Sequence, residues 1–118
     1  MRHQHKGRSF NRPKNQRAAL VRSLARSLII HESISTTEAK AKELRPFIEK
    51  LISNARVDSV ANRRLVASRL GNDDEIVKKV FGTLGPRYAT RPGGYTRIVK
   101  RAPNAVNARA NAYIALVD

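Results

Sequence analysis

SISTTEAKAKELRPFIEKLI, residues Ser33 to Ile52, changes its hydrophobic period partway along and so decides what kind of fold this chain can adopt. Ser33 to Thr36 is a short β-leaning run that turns Ile34 inward. Thr37 then stands where a helix cap belongs, its side-chain oxygen free to accept a first-turn N–H. Glu38 follows in the first turn, where the helix dipole favours a negative charge. Beyond it Leu44, Phe47, Ile48, Leu51 and Ile52 recur at helical spacing and form an inner face. Pro46 lacks an N–H and predicts either a kink or a division into two shorter helices.

Working outward, Asn15 to about Ile30 reads as an amphipathic helix. Leu20, Val21, Leu24 and Leu28 form its buried stripe, with Arg22 and Arg26 directed away from it. Asp58 or Ser59 opens a third helix that includes Leu65, Val66 and Leu70 and stops at Gly71. Asn72 or Asp73 opens a fourth, carrying Ile76, Val77, Val80, Phe81 and Leu84, which Gly85-Pro86 ends. Asp73, Asp74 and Glu75 crowd the positive end of that helix, and dipole compensation accounts for them without metal-assisted chemistry. The period then becomes two. Tyr95 to Lys100 alternates as a strand introduced by Pro92-Gly93-Gly94, and Ala112 to Val117 is a second, more uniformly apolar strand. Arg101 to Asn111 between them is loop-like. The class is α+β: a four-helix body packed on a small mixed or antiparallel sheet, with an extended basic N-terminal arm. The division is an arm over 1–14, where no hydrophobic period exists, and a single globular α+β domain over 15–118.

The 118 residues carry 24 Lys and Arg against 9 Asp and Glu, a net charge of +15. The charge is not spread evenly. Met1 to His31 holds 8 basic residues and no acidic one, Glu32 to Glu75 holds 8 of each, and Ile76 to Asp118 holds 8 basic and 1 acidic. A neutral middle between two cationic ends suits a folded body that grips a polyanion with its termini, which points to nucleic acid. Hydrophobic residues make up 41%, too many for a disordered basic tail. Cysteine is absent, which excludes disulfides, thiol catalysis and Cys-based zinc sites. No stretch approaches the roughly 18 apolar residues that cross a bilayer. The N-terminus lacks the apolar region of a secretory signal. It has the Arg-rich, acid-poor composition of a transit peptide, but Leu20, Leu24 and Leu28 read as core, so the expected location is the cytoplasm. Aromatics at 5% disfavour a single-strand reader built on stacked rings and favour a structured RNA recognised by shape and phosphate.

The candidate binding residues fall into groups. In the arm, Arg2, His3, His5, Lys6, Arg8, Arg12 and Lys14 are placed to neutralise phosphates, with Gly7 permitting close approach and Phe10 available to stack on a base. His3-x-His5 has no third metal ligand nearer in sequence than His31, so no metal site is expected. Arg17 and Arg22 extend the basic surface onto the first helix. Lys40, Lys42 and Arg45 share their helix with Glu38, Glu43 and Glu49, and a solvated, ion-paired face explains the pattern as readily as RNA contact does. The free N–H groups at that helix's start, with Thr37, are suited to a phosphate. Arg63 and Arg64 diverge by about 100°, so one can meet RNA while the other makes an internal ion pair. The last group is Arg87, Tyr88, Arg91, Gly93, Gly94, Tyr95 and Arg97, with Lys100 on the same strand. Gly93-Gly94 is either a simple turn or an anion nest. Tyr95, Arg97 and Val99 share one strand face and Thr96, Ile98 and Lys100 the other; which face is buried stays open, with partial cover expected on both. A helix-turn-helix regulator centred on Asp58 would leave the basic termini unexplained. A nuclease would need convergent carboxylates that the basic ends do not supply.

Several of these residues also carry a resemblance. Met1-Arg2-His3 with Gly7-Arg8, then Leu28, His31-Glu32 and Ile34, precede the eleven residues from Thr36 to Pro46; Arg63-Arg64-Leu65-Val66, Pro86-Arg87-Tyr88 and Gly93-Gly94-Tyr95-Thr96-Arg97-Ile98 follow in order. In these stretches the chain resembles the bacterial large-subunit ribosomal protein family seventeen. It departs from that family at Phe10-Asn11-Arg12, where Leu-Gly-Arg is common, and at Asn104 to Asn111, in place of an Arg-Gly-Asp-rich loop. The resemblance implies a structural protein that binds large-subunit ribosomal RNA near the exit of the nascent-chain tunnel. It implies neighbouring large-subunit proteins as partners, an α+β fold, no catalytic residue, no cofactor, no small-molecule substrate and no membrane.

Overall fold

The computed structural model describes residues 14–101 and 111–118. Four helical segments and three strands follow in the order α1 (Lys14–His31), β1 (Ser33–Thr37), α2 (Glu38–Ala55), α3 (Val60–Arg69), α4 (Asp74–Lys79), β2 (Thr96–Arg101) and β3 (Asn111–Leu116). Between α4 and β2 the helix widens into a π turn, Val80–Leu84, and tightens again into a last α turn, Gly85–Arg87. Lys14, assigned to the arm by sequence, is the first residue of α1.

Local chemistry sets the helix starts. The Thr37 hydroxyl accepts from the Lys40 amide at 3.2 Å, Ser59 Oγ accepts from Asn62 at 3.1 Å, and the Asp73 carboxylate accepts from Ile76 at 3.4 Å. Gly71 and Asn72, at φ 77° and 61°, make the left-handed turn between α3 and α4.

The sheet order is β1-β3-β2 with both pairings antiparallel, so the last strand in sequence lies at the centre. Ile34, Ile114 and Ile98 stand in one row across it. Helix α2 packs across all three strands and α1 over β1 and β3. One face is therefore covered: Thr96, Ala112, Ile114 and Leu116 are buried, and Ile34 and Ile98 pack against the core. The opposite face is open, with Val99 50% and Tyr113 41% exposed. Cover on both faces of β2, expected from its alternation, does not occur.

The core joins Leu28 and Ile29 of α1 to Leu44, Ile48, Leu51 and Ile52 of α2, with Val66, Leu70, Val80 and Leu84, all with 1% exposure or less. Several expectations need correction. Leu20 is only half-buried; the α1 stripe is Val21, Leu24, Ala25, Leu28 and Ile29. Leu65 is 38% exposed, because ten-residue α3 contributes a narrow seam through Val66 and Leu70, and Leu65 stands more than a quarter of a turn off it. Helix α2 runs through Pro46 as one element of 18 residues. Pro46 lies on the exposed side, and the apolar face stays whole.

Gly85 does not end the fourth helix. It has right-handed φ/ψ of −55° and −54° and donates its N–H to the Val80 carbonyl, the bond that makes the π turn. A Cβ at this position would lie 2.3 Å from the Ala55 carbonyl oxygen. The residue is Gly because α2 and the π turn touch backbone to backbone there. Gly85→Ala is expected to lower stability by about 1–3 kcal/mol through enforced separation of the two helices. A urea titration checks this: the midpoint should fall, with the control Gly82→Ala, where a Cβ meets nothing within 4 Å, leaving α2 in place.

Candidate nucleic-acid interface

The chain's carboxylates have to be placed before its cations can be. Glu32 joins α1 to β1 in the left-handed conformation, φ 63°. Its carboxylate accepts from Arg87 Nη1 at 2.6 Å and Nη2 at 3.1 Å, and Lys79 Nζ lies 3.4 Å away. The Arg87 guanidinium, joined by Lys79, holds the Glu32 carboxyl below the usual carboxylate range, and Glu32 in turn raises Arg87 above its ordinary value. Arg87, a candidate contact, is thus one half of an internal ion pair, its guanidinium 5.8 Å from the Tyr88 ring centre.

Tyr88 and Tyr95 are each 1% exposed, with ring centres 5.1 Å apart and planes at 52°. Neither ring offers a face to a base, which corrects the surface role the sequence suggested for them. The Tyr88 hydroxyl donates to the Val117 carbonyl. The Tyr95 hydroxyl donates to the Arg91 carbonyl at 3.2 Å, so Arg56 Nη1 at 3.3 Å and Ser53 Oγ at 3.2 Å act as donors to it.

Gly93 and Gly94 adopt φ 144° and 66°, conformations open chiefly to glycine. The turn does present backbone N–H groups to an anion, but the anion is internal. Glu49 of α2 accepts from Gly94 N at 3.1 Å, Thr96 N at 2.9 Å and Thr96 Oγ1 at 2.8 Å. A phosphate has no place at those donors. Arg91 and Arg97 line a shallow cleft beside Ala115, Leu116, Val117 and Asp118.

Three more carboxylates are engaged. Glu38 lies 3.0 Å from Lys42 and 3.2 Å from Lys100, and these two ammonium groups hold its carboxyl below the usual range. Asp58 accepts from Arg63 Nε at 2.6 Å and Nη2 at 2.8 Å, and is lowered by it. Arg63 also lies 5.2 Å from the Phe81 ring centre, so of the adjacent pair it is the internal member. Asp73 meets Arg26 at 3.0 Å. Thr37 is committed to capping through Lys40 N.

Most of the charge that remains outward-facing is cationic; Asp74, Glu75 and Asp118 are the exposed exceptions. Arg45, Arg64 and Arg97 are exposed and Lys40 is partly exposed, and none of these side chains makes a hydrogen bond or ion pair among the described residues. Lys14 is exposed at the start of α1; Arg17 and Arg22 are half-buried farther along it. Sequence reasoning missed Arg101 and Tyr113 on the open sheet face, where the guanidinium sits 4.7 Å from the ring centre. Their signal was available in the parity of β3: if Ala112, Ile114 and Leu116 point inward, Tyr113 points out. Arg2, His3, His5, Lys6, Arg8 and Arg12, with residues 102–110, lie outside the described residues. Among the described residues no cluster of three or more His, Asp or Glu is placed to hold a metal ion, and no helix is long and apolar enough to cross a membrane.

A protein-family model described as Ribosomal protein L17 matches residues 20–117.

The Glu32 cluster makes stability depend on pH. Because its carboxyl titrates lower in the folded chain than in the unfolded one, its contribution is present above the unfolded pKa and is lost as pH falls through the folded value. Glu32→Gln should lower stability by about 1 kcal/mol at pH 7, a modest figure because the pair is partly exposed. In urea titrations at pH 7 and pH 3 the difference between wild type and variant should shrink at the lower pH. Glu49→Ala should instead destabilise at neutral pH and accelerate hydrogen exchange at Gly94 and Thr96, which lose their acceptor.

Proposed function

The chain belongs to the ribosomal protein L17 family, a large-subunit protein family of translation, and on that premise we propose that it binds large-subunit ribosomal RNA through its basic termini. The role is structural: the chain fixes RNA near the exit of the nascent-chain tunnel, beside neighbouring large-subunit proteins, in the cytoplasmic ribosome. Catalysis and a cofactor have no part in this reading. The proposed division is a basic arm over 1–14 that reaches into RNA and a body that supplies the second surface.

One observation carries it. Glu32, Glu38, Glu49, Asp58 and Asp73 are each engaged within the chain, whereas the side chains of Lys40, Arg45, Arg64 and Arg97 have no internal partner among the described residues. With five of its nine carboxylates tied to internal partners and these cations left over, the surface favours a polyanion, although Asp74, Glu75 and Asp118 are also exposed. The candidate contacts in this reading are the arm residues, Arg17, Arg22, Lys40, Arg45, Arg64, Arg91 and Arg97. Lys42 and Lys100 join them through the exposed parts of their side chains, 49% and 70% exposed. The rival DNA-reading helix is weaker still, since Arg63 of α3 is held by Asp58 across the turn that would have to orient it.

Sedimentation of the tagged full chain from lysate at high salt, followed by RNA crosslinking, tests the proposal. Stoichiometric recovery in the large subunit, with crosslinks in the arm and around Arg91 to Arg97, is the expected result; recovery free or with DNA would overturn it. In a salt series on large-subunit RNA, affinity should fall by several orders of magnitude between about 50 and 200 mM if about eight phosphates are neutralised. Removing residues 1–14 should flatten that slope.

A further inference from the structure

We propose that the open face of the sheet is a second RNA contact, where an unpaired nucleotide stacks on the Arg101–Tyr113 pair. This deepens the RNA-binding reading and rests on it. The residues lie on β1, β2 and β3.

The register places three rows on this face: Ser33, Ala115 and Arg97; Ser35, Tyr113 and Val99; Thr37, Asn111 and Arg101. Tyr113 is at the centre, 41% exposed, with Val99 50% exposed beside it. Arg101 reaches diagonally over the ring, its carbon centre 4.7 Å from the ring centroid, and its Nη1 meets Ser35 Oγ at 3.4 Å. A guanidinium lodged over a tyrosine ring offers a stacking surface for a base, while its N–H edges remain donors.

Charge selects the occupant. The only side chains on the three rows that are ionised at neutral pH are Arg97 and Arg101; no carboxylate stands among them. The nearest acids in sequence are Glu32, bound to Arg87 and Lys79, Glu38, bound to Lys42 and Lys100, and Asp118 at the cleft beside Arg97. The rest of the face offers the hydroxyls of Ser33, Ser35 and Thr37 and the Asn111 amide, groups that pair with phosphate oxygens or a 2′-hydroxyl. Its apolar content is Val99, Tyr113 and the single methyl of Ala115, too little for the dehydrated centre of a protein interface. One aromatic between two arginines on a strand surface instead matches the way sheets hold single nucleotides.

The test uses the full chain and large-subunit ribosomal RNA, with wild type, Tyr113→Ala, Tyr113→Trp and Arg101→Ala compared in a salt series. Tyr113→Ala should weaken binding roughly 5- to 100-fold with its salt slope unchanged, because a stack rather than a charge is lost. Tyr113→Trp should restore affinity, which a merely structural role for the ring would not predict. Arg101→Ala should weaken binding and reduce the slope by about one. Equal affinity of Tyr113→Ala and wild type would overturn the sheet contact while leaving the arm's role intact. Failure of the wild type itself to bind would overturn the RNA reading as a whole. A photo-crosslinker at position 113 in assembled subunits adds the last arm: crosslinks to RNA support the proposal, and crosslinks to a protein alone overturn it.

Discussion

Glu32 is where the chain stops being helical and the sheet begins, and it holds that corner in a conformation L-residues disfavour. Its φ of 63° costs on the order of 1–2 kcal/mol relative to right-handed backbone. Three sets of bonds offset this. The Glu32 N–H donates to Leu28 at 2.7 Å, closing α1; its carbonyl accepts from Leu116 at 2.9 Å, docking the end of β3; its carboxylate takes Arg87 and Lys79 from beyond and within the fourth helix. One residue thus fixes the angle between α1 and the sheet and ties both to an element some fifty residues later. Tyr88, next to Arg87, extends the same corner by donating to the Val117 carbonyl. The buried Tyr88–Tyr95 pair then hands it on to the turn before β2.

The other carboxylates follow the same logic at lesser joints. Asp73 caps α4 and meets Arg26 of α1; Asp58 braces the turn into α3; Glu38 at the start of α2 meets Lys100 of β2; Glu49 in the middle of α2 holds the glycine turn that launches β2. Exposed ion pairs contribute little energy one by one. Their placement matters more than their strength, because a chain of charge +15 repels itself as it compacts. Putting the few negative charges at junctions relieves that repulsion where segments must meet. It also neutralises, through internal partners, part of the negative charge the surface would otherwise carry. Fold and binding surface are therefore set by one allocation of charge.

The helices were legible because their apolar spacing and caps are local. Ile76, Val77, Val80, Phe81 and Leu84 are all buried as the period requires, and Thr37, Ser59 and Asp73 cap as their positions suggest. What stayed hidden depends on contacts far apart in sequence. Gly85 looks like a terminator until Ala55 is seen against it. Gly93-Gly94 was legible as a site for an anion, but nothing in the turn says that Glu49, 45 residues earlier, is that anion. Tyr88 and Tyr95 sit among arginines in sequence and inside the core in space, because the arginines alternate outward around them. In β2 the alternation was evident but its inner side was not, since the face that α2 covers is decided by the whole sheet and not by one strand.

A three-stranded sheet with helices on one side leaves two edges and a face without a second layer, an arrangement that invites strand addition or face-to-face association. The edge strand β2 counters both with Arg97, Lys100 and Arg101 along six residues. A second copy of the chain would bring the same cations to the contact and be repelled. A polyanion gains from them instead and, in the proposed contact, stacks a base on the Arg101–Tyr113 pair. On the proposed reading, the charge that keeps β2 from pairing with another strand is also the charge that admits RNA to the face beside it. An uncovered sheet that would be a liability in a neutral protein is, in this one, compatible with a fold completed by nucleic acid.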